Sequence, residues 1–172
     1  TSTYRNQYVI GESINIQKLY HFTGVDPTTG VYQFEDVNGD GLLSFADDAQ
    51  TVKDFSPEFY GGLQNQLRYK RFQLEFLIQF VKQWNAASQF PVPGAFANQP
   101  TSVLGAWQQA GDLSTTQLYT NGLNSAATNA YQRYNASDAA VSDASYIRLK
   151  NISLTYTIPT HLKGLECRLN VQ

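Results

Sequence analysis

One cysteine, no methionine, two histidines and few charges mark this chain of 172 residues. A lone Cys167 cannot close an internal disulfide. Charged residues make up 15% and leave a net charge of −2, so there is no basic footprint for nucleic acid and no polybasic surface for anionic lipid. No apolar run approaches the roughly 18 residues that a transmembrane helix needs. The opening "TSTYRNQYVI" lacks a basic stretch followed by an apolar run, so no secretory signal is read there. Catalytic patterns are missing as well. There is no Walker A loop and no G-x-G-x-x-G, and His21 and His161 have no neighbouring Ser, Cys or carboxylate pattern. Cys167 falls mid-strand on an apolar face and reads as filler rather than nucleophile. The sequence is read as a non-enzyme. A mean hydropathy of −0.36 is compatible with a membrane β-barrel, whose signature is weak in each strand.

What the chain has in quantity is aromatic side chains: 11 Tyr, 10 Phe and 2 Trp. Residues 71–83, "RFQLEFLIQFVKQ", alternate with period two. Phe72, Leu74, Phe76, Ile78 and Phe80 fall on one face, and Gln73, Glu75, Leu77, Gln79 and Val81 on the other, which predicts a strand. Two settings share this alternation: a lipid-facing barrel strand of about 9–11 residues and a half-buried strand of a soluble sandwich. Residues 57–69 form the preceding strand and Tyr69-Lys70-Arg71 a tight turn, so 57–83 reads as a hairpin. Gly61-Gly62 suggests a bulge or a close backbone approach.

Strand character returns at 145–159, "SYIRLKNISLTYTIP". Here Ile152, Leu154, Tyr156 and Ile158 are in phase with Arg148 and Lys150, while Ile147 and Leu149 are out of phase. Either a bulge near Lys150-Asn151 restores the face, or the basic end lies beyond the apolar zone. "THLKGL" is a predicted turn, "LECRLNVQ" a further strand, and 8–22 a less regular one. Residues 84–144 read as a long irregular segment with a short helix within 101–111; segments of this length are usually functional or disordered.

The stretch "EDVNGDGLLSFADDA", 35–49, spaces oxygen donors like a calcium loop. With Asp36 first, Asn38 is third, Asp40 fifth, Gly41 sixth, the Leu42 carbonyl seventh, Ser44 ninth and Asp47 twelfth, with Asp48 adjoining. An Asx-rich turn draws on the same residues and stands beside the cation reading. Flanking helices are not evident, so the expectation is a calcium-clipped loop between strands, calcium being structural.

Taken together, "GVDPTTGVYQFEDVNGDG" (24–41), "SPEFYGGLQNQLRYKRFQLEFLIQF" (56–80), "SVLGAWQQAGD" (102–112) and "DASYIRLKNISLTYTIP" (143–159) resemble, in order and spacing, the C-terminal part of SusC/RagA-type TonB-dependent transporters of the Bacteroidota outer membrane. The resemblance covers most of residues 8–172. It implies an all-β fold: an antiparallel transmembrane β-barrel segment, about 4–5 strands of a barrel of about 22, with long extracellular loops at 25–55 and 84–144. It implies partners too: a SusD-like surface lipoprotein, TonB engaged through an N-terminal part, outer-membrane lipid, and a glycan or peptide cargo for import. The family's plug, TonB-interacting segment and final strand have no counterpart in residues 1–172, so the chain reads as a fragment, expected to form an open sheet whose core is not its own. Phe72, Phe76 and Phe80 are expected to be exposed, and the lumen-facing Gln and Arg residues to lack partners within the chain. On the 84–144 segment, Trp84, Phe90, Phe96, Trp107, Tyr119, Tyr131 and Tyr134 are candidates for contact with partner or cargo, and a loop packed on itself is the alternative. The runner-up function is a soluble extracellular calcium-binding β module that binds carbohydrate.

Overall fold

A computed structural model of the chain describes residues 4, 6–87, 89–159 and 167–171. In chain order the elements are β1 (Ile16–Leu19), β2 (Phe22–Val25), β3 (Tyr32–Phe34), α1 (Phe45–Asp48), β4 (Thr51–Asp54), β5 (Phe59–Tyr69), β6 (Phe72–Lys82), β7 (Trp84–Ala86), α2 (Ser125–Asn135), β8 (Val141–Asp143), β9 (Tyr146–Ile158) and β10 (Cys167–Val171). Short 3₁₀ turns occupy Thr101–Gly105 and Asp138–Ala140. Two compact units divide the chain: Thr1–Ser56 with Trp84–Asp143, and Pro57–Gln83 with Ala144–Gln172.

The second unit is a four-stranded antiparallel sheet, ordered β10-β9-β6-β5. β5 and β6 pair from Phe59 opposite Lys82 to Tyr69 opposite Phe72 without a break, so the hairpin forms as its period predicts. Lys70 makes the tight turn with φ of 54°, and the Arg71 carbonyl accepts the Thr157 N–H at 2.9 Å, tying the turn to β9. Gly61-Gly62 carries no bulge. Gly61 is instead the close approach, because a Cβ there would stand 2.7 Å from Phe80 Cζ.

The phase conflict in residues 145–159 is resolved by a bulge. Asn151 pairs with Leu77 and Leu149 with Ile78, so Lys150 is the extra residue. Its insertion returns Leu149 and Ile147 to the face that carries Ile152, Leu154 and Tyr156, and moves Arg148 to the polar face opposite Gln79. One largely apolar face therefore runs across β5, β6 and β9, with Asn65 of β5, opposite Phe76, as its polar member. Within this unit Ser153 is the single buried side chain among the described residues.

Three expectations for the sheet are corrected. Phe72, at the turn end of β6, is half exposed, but Phe76 and Phe80, further along the strand, are only partly so, and the Phe80 ring lies over the bare Gly61. The polar face is not without partners: Gln66 and Gln73 both donate from Nε2 to Glu75 Oε1. The possible fifth strand at 8–22 does not join this sheet. Its ordered parts are β1, which pairs with β4, and the start of β2, which pairs with β3. The predicted "THLKGL" turn lies outside the described residues, whereas the strand after it is found as β10, antiparallel to β9.

The first unit has a core of its own, which corrects the expectation that the chain would hold none. Tyr20, Tyr32, Phe34, Ala49 and Ala130 are buried together, with Phe22, Tyr131 and Tyr134 packed against them. Tyr134 stacks on Tyr32 at 4.6 Å between ring centroids, and Phe22 meets Tyr32 edge-on at 5.2 Å. The 84–144 segment is likewise not structureless. It contributes α2, capped by the Asn124 side chain accepting the Ala127 N–H and ending with Arg133 in its last turn. Ala127, Ala130, Tyr131 and Tyr134 recur at helical spacing and face the core. The helix within 101–111 is reduced to the 3₁₀ turn Thr101–Gly105.

Candidate functional site

The acidic stretch lies between β3 and β4, as a ladder of side-chain to backbone bonds. Asp36 accepts the N–H groups of Gly39 and Gly41, both at 2.8 Å. Asn38 Oδ1 accepts the Asp40 N–H at 3.0 Å, and its amide donates to Asp40 Oδ2 at 3.0 Å. Asp40 Oδ1 accepts the Leu42 N–H at 2.7 Å. Positive φ at Gly39 and Gly41, 71° and 79°, lets the chain turn tightly enough for this. Ser44 caps α1: its hydroxyl accepts the Asp47 N–H and donates to Asp47 Oδ2. Asp48 is 1% exposed, and its carboxylate accepts the N–H of Val37 at 2.9 Å and of Ser44 at 2.7 Å, closing the loop on itself. The donor set is all oxygen, as a hard cation requires. In this arrangement no group of three or more His, Cys, Asp or Glu among the described residues is gathered as a metal site.

The aromatic candidates separate by role. Trp107 donates its indole N–H to the Pro27 carbonyl at 3.1 Å, and its ring covers Gly30, where a Cβ would stand 2.3 Å from Cε3. Tyr131 donates to the Phe90 carbonyl and Tyr119 to the Val103 carbonyl, each at 2.7 Å. Lys53 Nζ sits 5.6 Å from the Trp84 ring centroid. Burial pushes the Tyr32 phenol up to about 12 and raises those of Tyr131 and Tyr134. Trp107, Tyr131 and Tyr134 thus help build the unit, while Tyr119 keeps 47% of its surface and Phe96 is fully exposed.

Two contacts were not anticipated from the sequence. His21 Nδ1 lies 2.7 Å from Asp138 Oδ2, and Asp138 Oδ1 accepts the Phe22 N–H at 3.0 Å. Tyr20 also forms a parallel bridge with Ser137, so the start of β2 is fastened to the turn after α2. The hydrogen bond from Asp138, then its charge, raises the pKa of His21. These partners are 117 residues apart, and no spacing rule links them.

The fold is all-β in class, with a few short helices, and its exposed apolar sheet face is uncommon in a chain that buries all of its apolar surface within itself. No family model matches the chain. It is 30% identical over 141 residues to TonB-dependent receptor P3 of Formosa agariphila, covering 81% of this chain and 13% of that protein. With TonB-dependent receptor P26 of the same organism it shares 26% identity, covering 92% of this chain and 17% of that protein. Among solved structures, that of the RagAB peptide transporter superposes with a TM-score of 0.62 at 18% identity, covering 89% of this chain and 19% of that one. The chain belongs to the TonB-dependent receptors, and it spans less than a fifth of the length of these relatives.

Proposed function

We propose that the chain is part of an outer-membrane active importer whose four-stranded sheet crosses the membrane. The observation that carries this is the largely apolar face shared by β5, β6 and β9. Strands of 11 residues match the hydrocarbon thickness at barrel tilt, about 9–11 residues. Leu63, Leu67, Tyr69, Phe72, Ile147, Leu149, Ile152 and Leu154 on that face are all 45% exposed or more. The edge strands β5 and β10 carry backbone groups that hydrocarbon does not tolerate unpaired, so further strands close the barrel on either side. The two-residue Lys70-Arg71 turn is periplasmic, because barrels keep their short turns there. Connectivity then puts 25–55 and 84–144 outside the cell.

In this reading the importer works with a SusD-like lipoprotein and with TonB, and takes up glycans or peptides. Among the aromatic residues of 84–144, Tyr119, Phe90 and Phe96 are the outward-facing ones and touch the partner or cargo, while Trp84, Trp107, Tyr131 and Tyr134 shape the surface from beneath. Calcium is held by Asp36, Asn38, Asp40, the Leu42 carbonyl, Ser44 and Asp47 or Asp48, once the Asn38 amide turns away from Asp40. Its role is structural, fixing a loop that otherwise loses chain entropy on ordering.

The test is a cysteine scan of β6 in the full-length receptor in liposomes. In a Cys167→Ser background, Gln73→Cys and Gln79→Cys should react with water-soluble thiol reagents, and Phe72→Cys, Leu74→Cys and Ile78→Cys only with thiol reagents that partition into lipid. Equal aqueous reactivity at all five positions would refute the lipid-facing assignment.

A further inference from the structure

The largely apolar face of the sheet ends at its tight turn in a row of three rings. Tyr69 pairs with Phe72, and Phe72 with Tyr156, so the rings stand side by side across β5, β6 and β9. The Phe72 and Tyr156 centroids lie 4.7 Å apart, and Tyr69 keeps 70% of its surface. Two residues further along each strand the row is Leu67, Leu74 and Leu154. This change from aliphatic to aromatic marks where hydrocarbon gives way to headgroups, because rings with a polar edge settle at that level. The length of the strand agrees. From Phe72 to Lys82, β6 rises about 33 Å, which at a barrel tilt of about 40° spans about 25 Å of membrane, the height of the apolar band on such barrels.

Beyond the row stand two cations in succession, Lys70 and Arg71, both exposed. Neither forms an ion pair among the described residues. Lys70 Nζ lies 5.2 Å from the centroid of the Tyr69 ring. Tyr69 belongs to the apolar face, so this contact brings the ammonium to the lipid-facing side of the turn and away from the polar face that holds Arg68 and Glu75. The backbone beneath is braced, since the Arg71 carbonyl accepts the Thr157 N–H. At the depth that the rings set, a cation on this side meets the phosphate layer of the leaflet. A zwitterionic headgroup brings its own cation with the phosphate and cancels much of the attraction. A headgroup of net negative charge does not.

The geometry points to this turn as a binding site for an anionic phospholipid, its phosphate held by Lys70 and Arg71 and the start of its acyl chains against Tyr69 and Phe72. The lipid belongs to the periplasmic leaflet, because the turn is a short one. This inference rests on the membrane-spanning reading and adds to it a choice of lipid.

The experiment is photo-crosslinking of the full-length receptor in phosphatidylcholine liposomes with two probes. One is a phosphatidylglycerol with a diazirine on its headgroup, the other a phosphatidylcholine with the diazirine on an acyl chain. Acyl-chain label at Leu74 and Ile78 is expected from the membrane reading, and headgroup label at 69–72 from the lipid site. Unlabelled phosphatidylglycerol should compete for the headgroup label, and added phosphatidylcholine should compete far less. Lys70→Gln and Arg71→Gln should each weaken the headgroup probe about fivefold at this turn. Raised salt should weaken it in the unaltered receptor, and Arg68→Gln, on the polar face, should leave it unchanged. Acyl-chain label without headgroup label at 69–72, equal competition by the two lipids, headgroup label unchanged in the double variant, or displacement by inorganic phosphate at matched ionic strength would each overturn the lipid site and leave the membrane reading standing. Absence of both labels would overturn both.

Discussion

Phe80 of β6 lies directly opposite Gly61 of β5, with its ring occupying the space that a side chain at Gly61 would fill. The pair makes one apolar step out of two residues, a large ring covering a bare backbone. Gly62 faces the other way, where a Cβ would meet Ile78 O at 3.5 Å and Leu77 Cδ1 at 3.7 Å, ordinary contact distances. Gly61→Val should therefore destabilise the full-length barrel by about 1–3 kcal/mol, the usual cost of overpacking, and Gly62→Ala should be nearly silent. Urea unfolding in detergent, followed by gel mobility of unheated samples, reads the difference. Equal midpoints for the two variants would mean that Phe80 swings aside without cost.

The Lys150 bulge makes a second prediction from alternation alone. Removing Lys150 leaves Ile147, Leu149 and Ile152 in phase with no bulge needed, so the deletion should still fold. Removing Leu149 instead puts Lys150 into the apolar row, where a cation on the lipid face costs about 2–4 kcal/mol near the bilayer midplane and less toward the interfaces. Folding yield into vesicles should be close to the parent for the first deletion and sharply lower for the second. The reverse order would place this face away from lipid.

The long strands were legible in the sequence because a period of two is local, and even the Lys150 bulge was visible as a phase conflict. The first unit was not legible. Its α2 is built from Ala, Ser, Thr and Asn, which read as loop by composition; the Asn124 cap and the Ala127, Ala130, Tyr131, Tyr134 spacing were the available signals. Its core joins residues far apart in the chain, as where Trp107 covers Gly30 and Gly30 needs φ of 71°. That contact explains why "GVDPTTG" and "SVLGAWQQAG" occur together, since the ring of one needs the bare backbone of the other. Neither segment alone reveals it. The oxygen-donor spacing of 36–48 was legible, but the buried member of the set is Asp48 rather than Asp47, because the one-turn helix α1 rotates it inward.

The His21–Asp138 pair predicts a pH dependence of defined sign. The pKa of His21 is raised in the folded state, so the pair's contribution is fully present below the ordinary histidine value of 6.5 and is lost as pH rises through the folded value. Both Asp138 and the charge of Glu35 act in this direction. The His21 side chain is half exposed, so the effect is small and local. Hydrogen exchange at residues 20–22 and 137–138, corrected for intrinsic rates, should show greater protection at pH 6 than at pH 8, and Asp138→Asn should remove the difference. Unchanged pH dependence in that variant would assign the effect to another group.

Asp40 and Asp48 separate the two readings of the acidic loop. Asp48 is buried and satisfies two backbone N–H groups, so Asp48→Ala leaves both without their acceptor and destabilises the loop by about 1–3 kcal/mol for each donor that water does not reach, with or without calcium. Asp40 is exposed, and water replaces its carboxylate at the Leu42 N–H and the Asn38 amide, so Asp40→Ala costs little in the absence of an ion. If the loop holds calcium, Asp40→Ala removes a charged ligand from the set and affinity falls by an order of magnitude or more, while strand pairing persists. Calorimetric titration of the full-length receptor with calcium, beside proteolysis of 36–50 with and without chelator, tests both statements. Protection by calcium that disappears in Asp40→Ala supports the cation. A loop equally resistant with and without chelator, and sensitive only to Asp48→Ala, identifies it as a turn held by its own carboxylates.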